Sequence, residues 1–324
     1  MLSALEAAGY ALPNNCRAGA CGECKVKVRS GEFNQGIVLD MALSQAERAD
    51  GFGLMCMAKP LSDEMVIEWG ESDAKPKLFP PREHMPFVVV DKIARTPRIV
   101  EVVLRPLGEP MRYWPGQYVM IGDDEGKVPA RSYSLAAAPR PDGEIAVQVT
   151  RVDGGVTSRW VHERLQPGDA VKVSGAYGTF VGDPSVETPV LCMAAGSGMA
   201  PILALADAAL RRGYALPVTL LFSAPRGEDV YDEGLLRYWE RRYRNFRFVA
   251  TFTQEHDGEL FGRIPAVLPA LFGDLSGHSV FVAGSPAFVA ACVDKAKALG
   301  AKDHLMHTEG YYSQRELATV AGAP

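Results

Sequence analysis

Between residues 87 and 182 apolar and polar positions alternate in six short runs: FVVVDKIA, IVEVVLRP, GQYVMIGD, RSYSLAA, IAVQVTRV and AVKVSG. Turn signals such as PDGE and QPGD separate them. A period of two marks half-buried strands, and six of them at this spacing predict an antiparallel barrel. From Pro189 the rhythm changes. VLCMAA runs into the helical APILALADAALRRG and then VTLLFSA; a helix through LLRYWERRY precedes FRFVATFT, and IPAVLPALFG precedes SVFVAG. The last helix, SPAFVAACVDKAKALG, carries Ser285 as N-cap, Pro286 in its first turn and Gly300 past its end. Repeated βα units imply a parallel sheet with helices on both faces.

Ahead of the barrel lies a smaller unit. A short helix with Leu2, Leu5 and Ala8 on one face leads into a cysteine loop and the strand KVKVRSG. The helical piece SQAERADG precedes LMCMA, and EMVIEW closes the unit as a strand. The polar, proline-rich ESDAKPKLFPPREHMP reads as a linker. These boundaries predict a first domain over 1–72, a linker over 73–86, the barrel over 87–185 and the parallel-sheet domain over 186–324, in keeping with a chain of 324 residues.

Composition narrows the function classes. A net charge of −5 with no compensating basic run argues against a nucleic-acid partner, and no apolar run is long enough to span a membrane. MLSALEAAGYALP lacks the basic start and unbroken apolar core of a signal peptide, so the expected location is the cytoplasm. In that reducing compartment, clustered cysteines point to metal or redox chemistry rather than disulfides. Cys192 and Cys292 stand alone in apolar segments and read as small buried residues.

The remaining four cysteines carry the sharpest signal. Cys16-x4-Cys21-x2-Cys24 is the plant-type [2Fe–2S] spacing, and Cys56 is the candidate for the distant fourth ligand. A zinc site prefers paired C-x2-C knuckles, and this segment has one. In the barrel, RSYSL (131–135) is followed downstream by GGVTSRW, where glycines and hydroxyl side chains open a helix suited to a phosphate. In the last segment AAGSGMAP (194–201) falls where the first strand turns into its helix, and AGSP (283–286) ends another strand at the same edge. Neither matches the G-x-G-x-x-G fingerprint.

Taken in order, the cysteine loop, Arg-x-Tyr-Ser barrel and Gly-Ser-Gly sheet resemble the ferredoxin-NADP reductase superfamily over nearly the whole chain. The nearest group is the NADH-dependent reductase components of bacterial multicomponent oxygenases, Rieske-type or diiron, in which a plant-type ferredoxin domain precedes the reductase. The resemblance implies a β-grasp ferredoxin domain, a six-stranded antiparallel flavin-binding barrel and a Rossmann-like nucleotide-binding domain. It implies that Arg131 binds the FAD pyrophosphate, that Tyr133 stacks on the isoalloxazine and that Ser134 hydrogen-bonds near N5. Val149 would line the flavin site, Gly155, Val156, Thr157 and Ser158 would wrap its phosphates, and GAYGTF (175–180) would form the turn below it. Gly196, Ser197, Gly198, Met199 and Pro201, with Gly284 and Ser285, would hold the nicotinamide and pyrophosphate. Ser223 and Arg226 would reach the adenosine ribose, and Glu309 and Tyr311 of HTEGYY would cover the flavin.

Three departures from that family stand out. Ala283 replaces a frequent cysteine, Thr150 stands where a basic residue is common, and the β-hairpin that precedes the first helix in relatives is missing. The last is read as a start codon placed too far downstream, leaving the β-grasp domain truncated. The function implied is transfer of electrons from NADH, with NADPH as the alternative, through FAD and the cluster to an oxygenase component or a separate ferredoxin. Glu228 and Asp229 beside Arg226 favour NADH. The chain is expected to be a monomer. Two other functions fit the same domain order: a reductase of deoxysugar biosynthesis, and a flavin-only diaphorase with a defective ferredoxin domain.

Overall fold

The computed structural model of the protein describes residues 1–68, 77–123, 125–182, 186–256 and 260–312. Trp69 of the expected strand EMVIEW and residues 73–76 of the expected linker lie outside them. The described residues form two compact units. One holds Met1–Pro81, Tyr177–Thr179 and the residues from Gly310 on; the other holds Arg82–Ala176 and Phe180–Glu309.

The first unit opens with α1 (Leu2–Ala7), which buries Leu2 on its apolar face and also buries Glu6. Strands β1 (Lys25–Ser30) and β2 (Phe33–Asn34), helix α2 (Gln45–Ala49), and strands β3 (Phe52–Leu54), β4 (Lys59–Pro60) and β5 (Val66–Glu68) follow. The three-stranded sheet runs β3-β1-β5, antiparallel, with Val26 opposite Gly53. Its core joins Leu2, Leu12, Val26, Leu43, Leu54 and Met55. Helix α2 is short, so its ends matter: Ser44 and Glu47 form a reciprocal capping box that satisfies two otherwise unpaired amides.

In the second unit the six predicted strands appear as β6 (Arg82–Thr96), β7 (Ile99–Pro106), β8 (Tyr118–Asp123), β9 (Arg131–Ser134), β10 (Ile145–Thr150) and, after helix α3 (Val156–Glu163), β11 (Ala170–Tyr177). Their order is β10-β7-β6-β11-β8-β9. A bridge between Leu135 and Val147 brings the two edges together, so the barrel is nearly closed. Every second residue points inward, giving a core of Phe87, Val89, Val102, Leu104, Val119, Ile121, Val147 and Val173. Strand β6 begins at Arg82, inside the stretch that reads as linker. Met85 opposes Val173 there, and Pro86 opposes Lys172. Only Met85 turns inward ahead of Phe87, while Glu83, His84 and Pro86 face outward. That is why this end of the strand carries no apolar signal of its own.

The parallel sheet is built from β12 (Val190–Ala195), α4 (Met199–Arg211), β13 (Val218–Ala224), α5 (Glu233–Arg242), β14 (Phe246–Phe252), β15 (Leu260–Phe261), α6 (Ile264–Leu271), β16 (Ser279–Gly284), α7 (Pro286–Ala298) and β17 (Met306–Gly310). Strand order is β15-β14-β13-β12-β16-β17. Alternate residues feed two cores: Leu220 and Phe222 pack on one face, Leu191, Leu221 and Val249 on the other. Ser285 caps α7 by accepting from the Phe288 N–H at 3.4 Å, and Gly300 beyond its end has φ of 90°. Strand β12 pairs with both β13 and β16, so the chain reverses direction across the sheet there. The crevice at that reversal, at the strands' carboxyl ends, is where dinucleotides bind in such sheets.

Candidate functional site

The cysteine loop is held open by backbone geometry. Gly19 and Gly22 have φ of 70° and 79°, and Arg17 has φ of 50°. A Cβ on Gly19 would press against Val38 at 2.9 Å and Met57 at 3.0 Å, so both its conformation and its contacts need glycine. The N–H groups of Ala18, Ala20 and Cys21 point at the Cys16 sulfur at 3.3–3.4 Å, and Cys56 N–H points at the Cys24 sulfur at 3.4 Å. The thiols themselves associate in two pairs. Cys21 donates to Cys16, which lowers the Cys16 pKa and raises that of Cys21; Cys24 donates to Cys56 with the same consequence. Among the described residues no three His, Cys, Asp or Glu side chains surround one point that would hold a single ion. Cys16, Cys21, Cys24 and Cys56 would hold the [2Fe–2S] cluster, and the amide N–H groups aimed at their sulfurs would stabilise its negative charge. Sequence reasoning missed Arg17, whose guanidinium pairs with the buried Glu6 at 2.7 Å and sets a positive charge within the loop.

In the barrel, Tyr133 packs half-buried against the core, and desolvation pushes its hydroxyl pKa up. Arg131 donates to the Ala130 carbonyl at 2.7 Å. Ser134, at the end of β9, donates to Glu309 Oε2 on β17 at 3.1 Å, and both side chains are buried. Tyr311 is half-buried in the first unit. Gly155 is the N-cap of α3, and a Cβ there would come within 2.6 Å of Ser158 Oγ. Val156 is exposed beside it. The Thr157 hydroxyl donates to the Pro129 carbonyl, and Ser158 Oγ accepts from the Val152 N–H, so both hydroxyls brace the loop. Val149 turns its side chain into the barrel core, and the His162 ring meets its carbonyl at 2.9 Å. Below the barrel, Phe180 sets its ring edge-on to Phe281, which stacks in turn on His307 with ring centres 4.5 Å apart.

At the sheet's reversal, Gly196–Gly198 form a tight turn between β12 and α4. Gly196 has φ of 55°, and a Cβ on it would meet nothing within 4 Å. On Gly198 the same atom would land on the Ala283 carbonyl, so the end of β16 crosses directly against the turn. That crossing brings Gly198 beside Gly284. Met199 and Pro201 are buried in the first turn of α4 and serve its packing, and the Ser285 hydroxyl is committed to its cap. Thr150 donates to Ser197 Oγ at 2.8 Å, which gives this position a neutral contact where the family resemblance expects a basic residue. Ser223 is half-buried at the end of β13. Arg226 pairs with Glu228 at 3.6 Å. Two backbone hydrogen bonds, Thr253 N–H to Ala224 O at 3.1 Å and Gln254 N–H to Pro225 O at 2.9 Å, zip the loops after β13 and β14 together. They deliver Glu255 to the Gly227 N–H, which donates to its carboxylate at 2.6 Å. Glu255 gave no sequence signal, because only strand adjacency brings it there.

The chain matches a 2Fe-2S iron-sulfur cluster binding domain over residues 1–61, an oxidoreductase FAD-binding domain over 85–181 and an oxidoreductase NAD-binding domain over 192–294. It is 33% identical to the reductase subunit of an aromatic O-demethylase from Amycolatopsis sp., covering 96% of this chain and 93% of that one. It is 32% identical to the reductase component of a phenol 2-monooxygenase from Pseudomonas sp., covering 90% and 84%. Among solved structures, an Amycolatopsis cytochrome P450 reductase superposes with a TM-score of 0.85 at 30% identity, covering 95% of this chain and 93% of that one. A ferredoxin reductase of carbazole 1,9a-dioxygenase gives 0.75 at 25%, covering 96% and 92%.

The fold and these domains define an iron–sulfur flavoprotein oxidoreductase that carries electrons from NAD(P)H through FAD to a [2Fe–2S] cluster. The chain belongs to the ferredoxin-NADP reductase superfamily, among the ferredoxin-fused reductase components. No helix among the described residues is long and apolar enough to cross a membrane.

Proposed function

We propose that this chain is the reductase component of an oxygenase system acting on an aromatic compound, working as a monomer in the cytoplasm. It would deliver electrons singly to the oxygenase component or to an intermediary ferredoxin. The observation that carries this reading is the double thiol pair of the cysteine loop: an enzyme that only passed hydride pairs onward would need no one-electron site. When bound, FAD accepts the hydride pair and the cluster passes electrons on one at a time. The relatives named above supply the oxygenase context. Plant-type clusters lie near about −400 mV and Rieske centres between roughly −150 and +300 mV, so transfer to a Rieske partner would run downhill.

The chain's own residues supply position. Arg131 and the N-terminal amides of α3 would take the flavin phosphates, Tyr133 would lie against the ring, and Ser134 with Glu309 would offer a buried polar pair beside it. The Gly196–Gly198 turn would receive the dinucleotide pyrophosphate, and Glu255 with Glu228 would disfavour a 2′-phosphate at Arg226, selecting NADH. The test is an EPR spectrum of the purified protein frozen anaerobically after NADH addition. A rhombic signal of reduced [2Fe–2S] supports the proposal. A bleached flavin with no cluster signal would favour the diaphorase reading.

A further inference from the structure

The glycine turn is held from behind by a buried polar network that no cofactor role yet explains. Tyr231, 4% exposed, places its hydroxyl 2.9 Å from the Gly196 carbonyl and 2.9 Å from Gln148 Oε1. Its ring is fixed edge-on against Phe222 with centres 5.7 Å apart. Gln148 lies on β10 of the barrel, 3% exposed, and its amide nitrogen donates to Glu101 Oε2 at 3.1 Å and to Asp232 Oδ2 at 3.3 Å. Arg95 binds both carboxylates, Glu101 at 2.9 Å and Asp232 at 3.0 Å. Asp232 occupies the N-cap of α5 with φ of 56° and makes no capping bond. A side-chain cap ordinarily stabilises a helix, so the carboxylate forgoes a local gain to serve this network.

Proton counting gives the network a direction. The two carboxylates fix the Gln148 amide with its NH2 toward them, because the flipped amide would set oxygen against oxygen. Its carbonyl therefore faces Tyr231. The hydroxyl has one proton and two acceptors, Gln148 Oε1 and Gly196 O, so Gln148 competes with the turn for it. A carbonyl and the following N–H share one rigid peptide plane. Whatever holds the Gly196 carbonyl thus sets the tilt of the peptide between Gly196 and Ser197, the first of the turn.

We propose that Tyr231 is a positioning residue for the nicotinamide dinucleotide: its hydroxyl, donated to Gly196 O, locks the Gly196–Gly198 turn in its binding geometry. The proposal rests on the reading of that turn as the dinucleotide site. Tyr231 acts through the backbone and does not itself touch the cofactor.

The test compares Y231F and Q148M with wild type, each as holoenzyme with FAD and cluster loaded. Affinity for NAD⁺ is measured by calorimetry, flavin bleaching by NADH in stopped flow, and melting temperature alongside. Losing one hydrogen bond should weaken NAD⁺ binding by Y231F roughly 2- to 12-fold, raise the NADH concentration for half-maximal bleaching in step, and leave FAD and iron content unchanged. Q148M removes the competing acceptor and leaves the proton to Gly196, so it should bind NAD⁺ as tightly as wild type or tighter while melting lower. A network that served only stability would lower both melting points and leave both affinities alone, which overturns the proposal. Equal weakening in the two variants overturns it as well. Should Y231F be recovered without FAD, Q148M decides: binding tighter than wild type supports the proposal, and unchanged or weaker binding overturns it. A wild-type protein that binds neither NAD⁺ nor NADH would instead overturn the dinucleotide reading of the turn, and this proposal with it.

Discussion

Ser134 and Glu309 stand 175 positions apart in the chain and meet as a hydroxyl donating to a carboxylate in a buried setting. A hydrogen bond to a charged group contributes about 1.5–3 kcal/mol. If the pair orders the flavin's hydride-accepting side, Ser134→Ala should slow flavin bleaching by NADH about 10- to 100-fold at saturating NADH, with FAD still bound and its spectrum otherwise intact; stopped flow reads this directly. In the loop after β13, where the proposed function places the adenosine, Glu255 accepts from the Gly227 N–H next to Arg226. Glu255→Gln keeps a hydrogen-bonding oxygen and removes the charge. A unit charge at about 4 Å in water repels another by about 1 kcal/mol, so kcat/KM for NADPH relative to NADH should rise about fivefold. An unchanged ratio would place discrimination elsewhere. The two residues also show what a single sequence reveals. Ser134 is legible because it sits in a recognisable stretch, Arg-x-Tyr-Ser. Glu255 is not, because its neighbour Gly227 reaches it only through the pairing of two strand ends.

Whole elements show the same division. The period-two runs place all six barrel strands, and the βα alternation places the parallel sheet, because burial on one or two faces writes itself into hydropathy. Strand β17, MHTEG, carries no apolar run, and sheet order alone sets it beside β16. The join of β7, β10 and α5 is likewise silent in sequence. Among its groups, Asp232 is raised above the usual carboxylate range, chiefly by burial, with Arg95 pulling the other way; Glu101, Gln148 and Tyr231 complete its surroundings. A carboxyl whose folded pKa exceeds its unfolded value binds more protons in the native state, so the stability it contributes is present below its unfolded value and lost as pH rises through the folded one. Wild type should therefore lose melting temperature between about pH 4 and its folded pKa. Asp232→Asn, which cannot titrate, should lose less over the same range in calorimetric scans. Parallel melting curves for the two proteins would mean that Asp232 is paired well enough to stay charged throughout.

At the scale of the whole molecule, three sites lie in one chain because each needs a different environment. The cluster loop offers amide donors and thiol pairs, the barrel offers an apolar wall with a buried hydroxyl–carboxylate pair, and the parallel sheet offers a turn crossed by backbone. Removing one should leave the others. Cys56→Ser should lose most of its iron and its EPR signal while NADH still bleaches the flavin at close to the wild-type rate; a parallel loss of flavin reduction would mean that the first unit supports the reductase structurally.

The cysteine spacing, the strand periodicity and the βα rhythm were set by sequence alone, because each is a local pattern imposed by ligand chemistry or by burial along one element. Ser134 with Glu309, Tyr231 with Gly196, and Glu255 with Gly227 were decided only by the tertiary structure. Each is a contact between residues far apart in the chain, placed by which strands lie side by side, and no local spacing encodes such a neighbour.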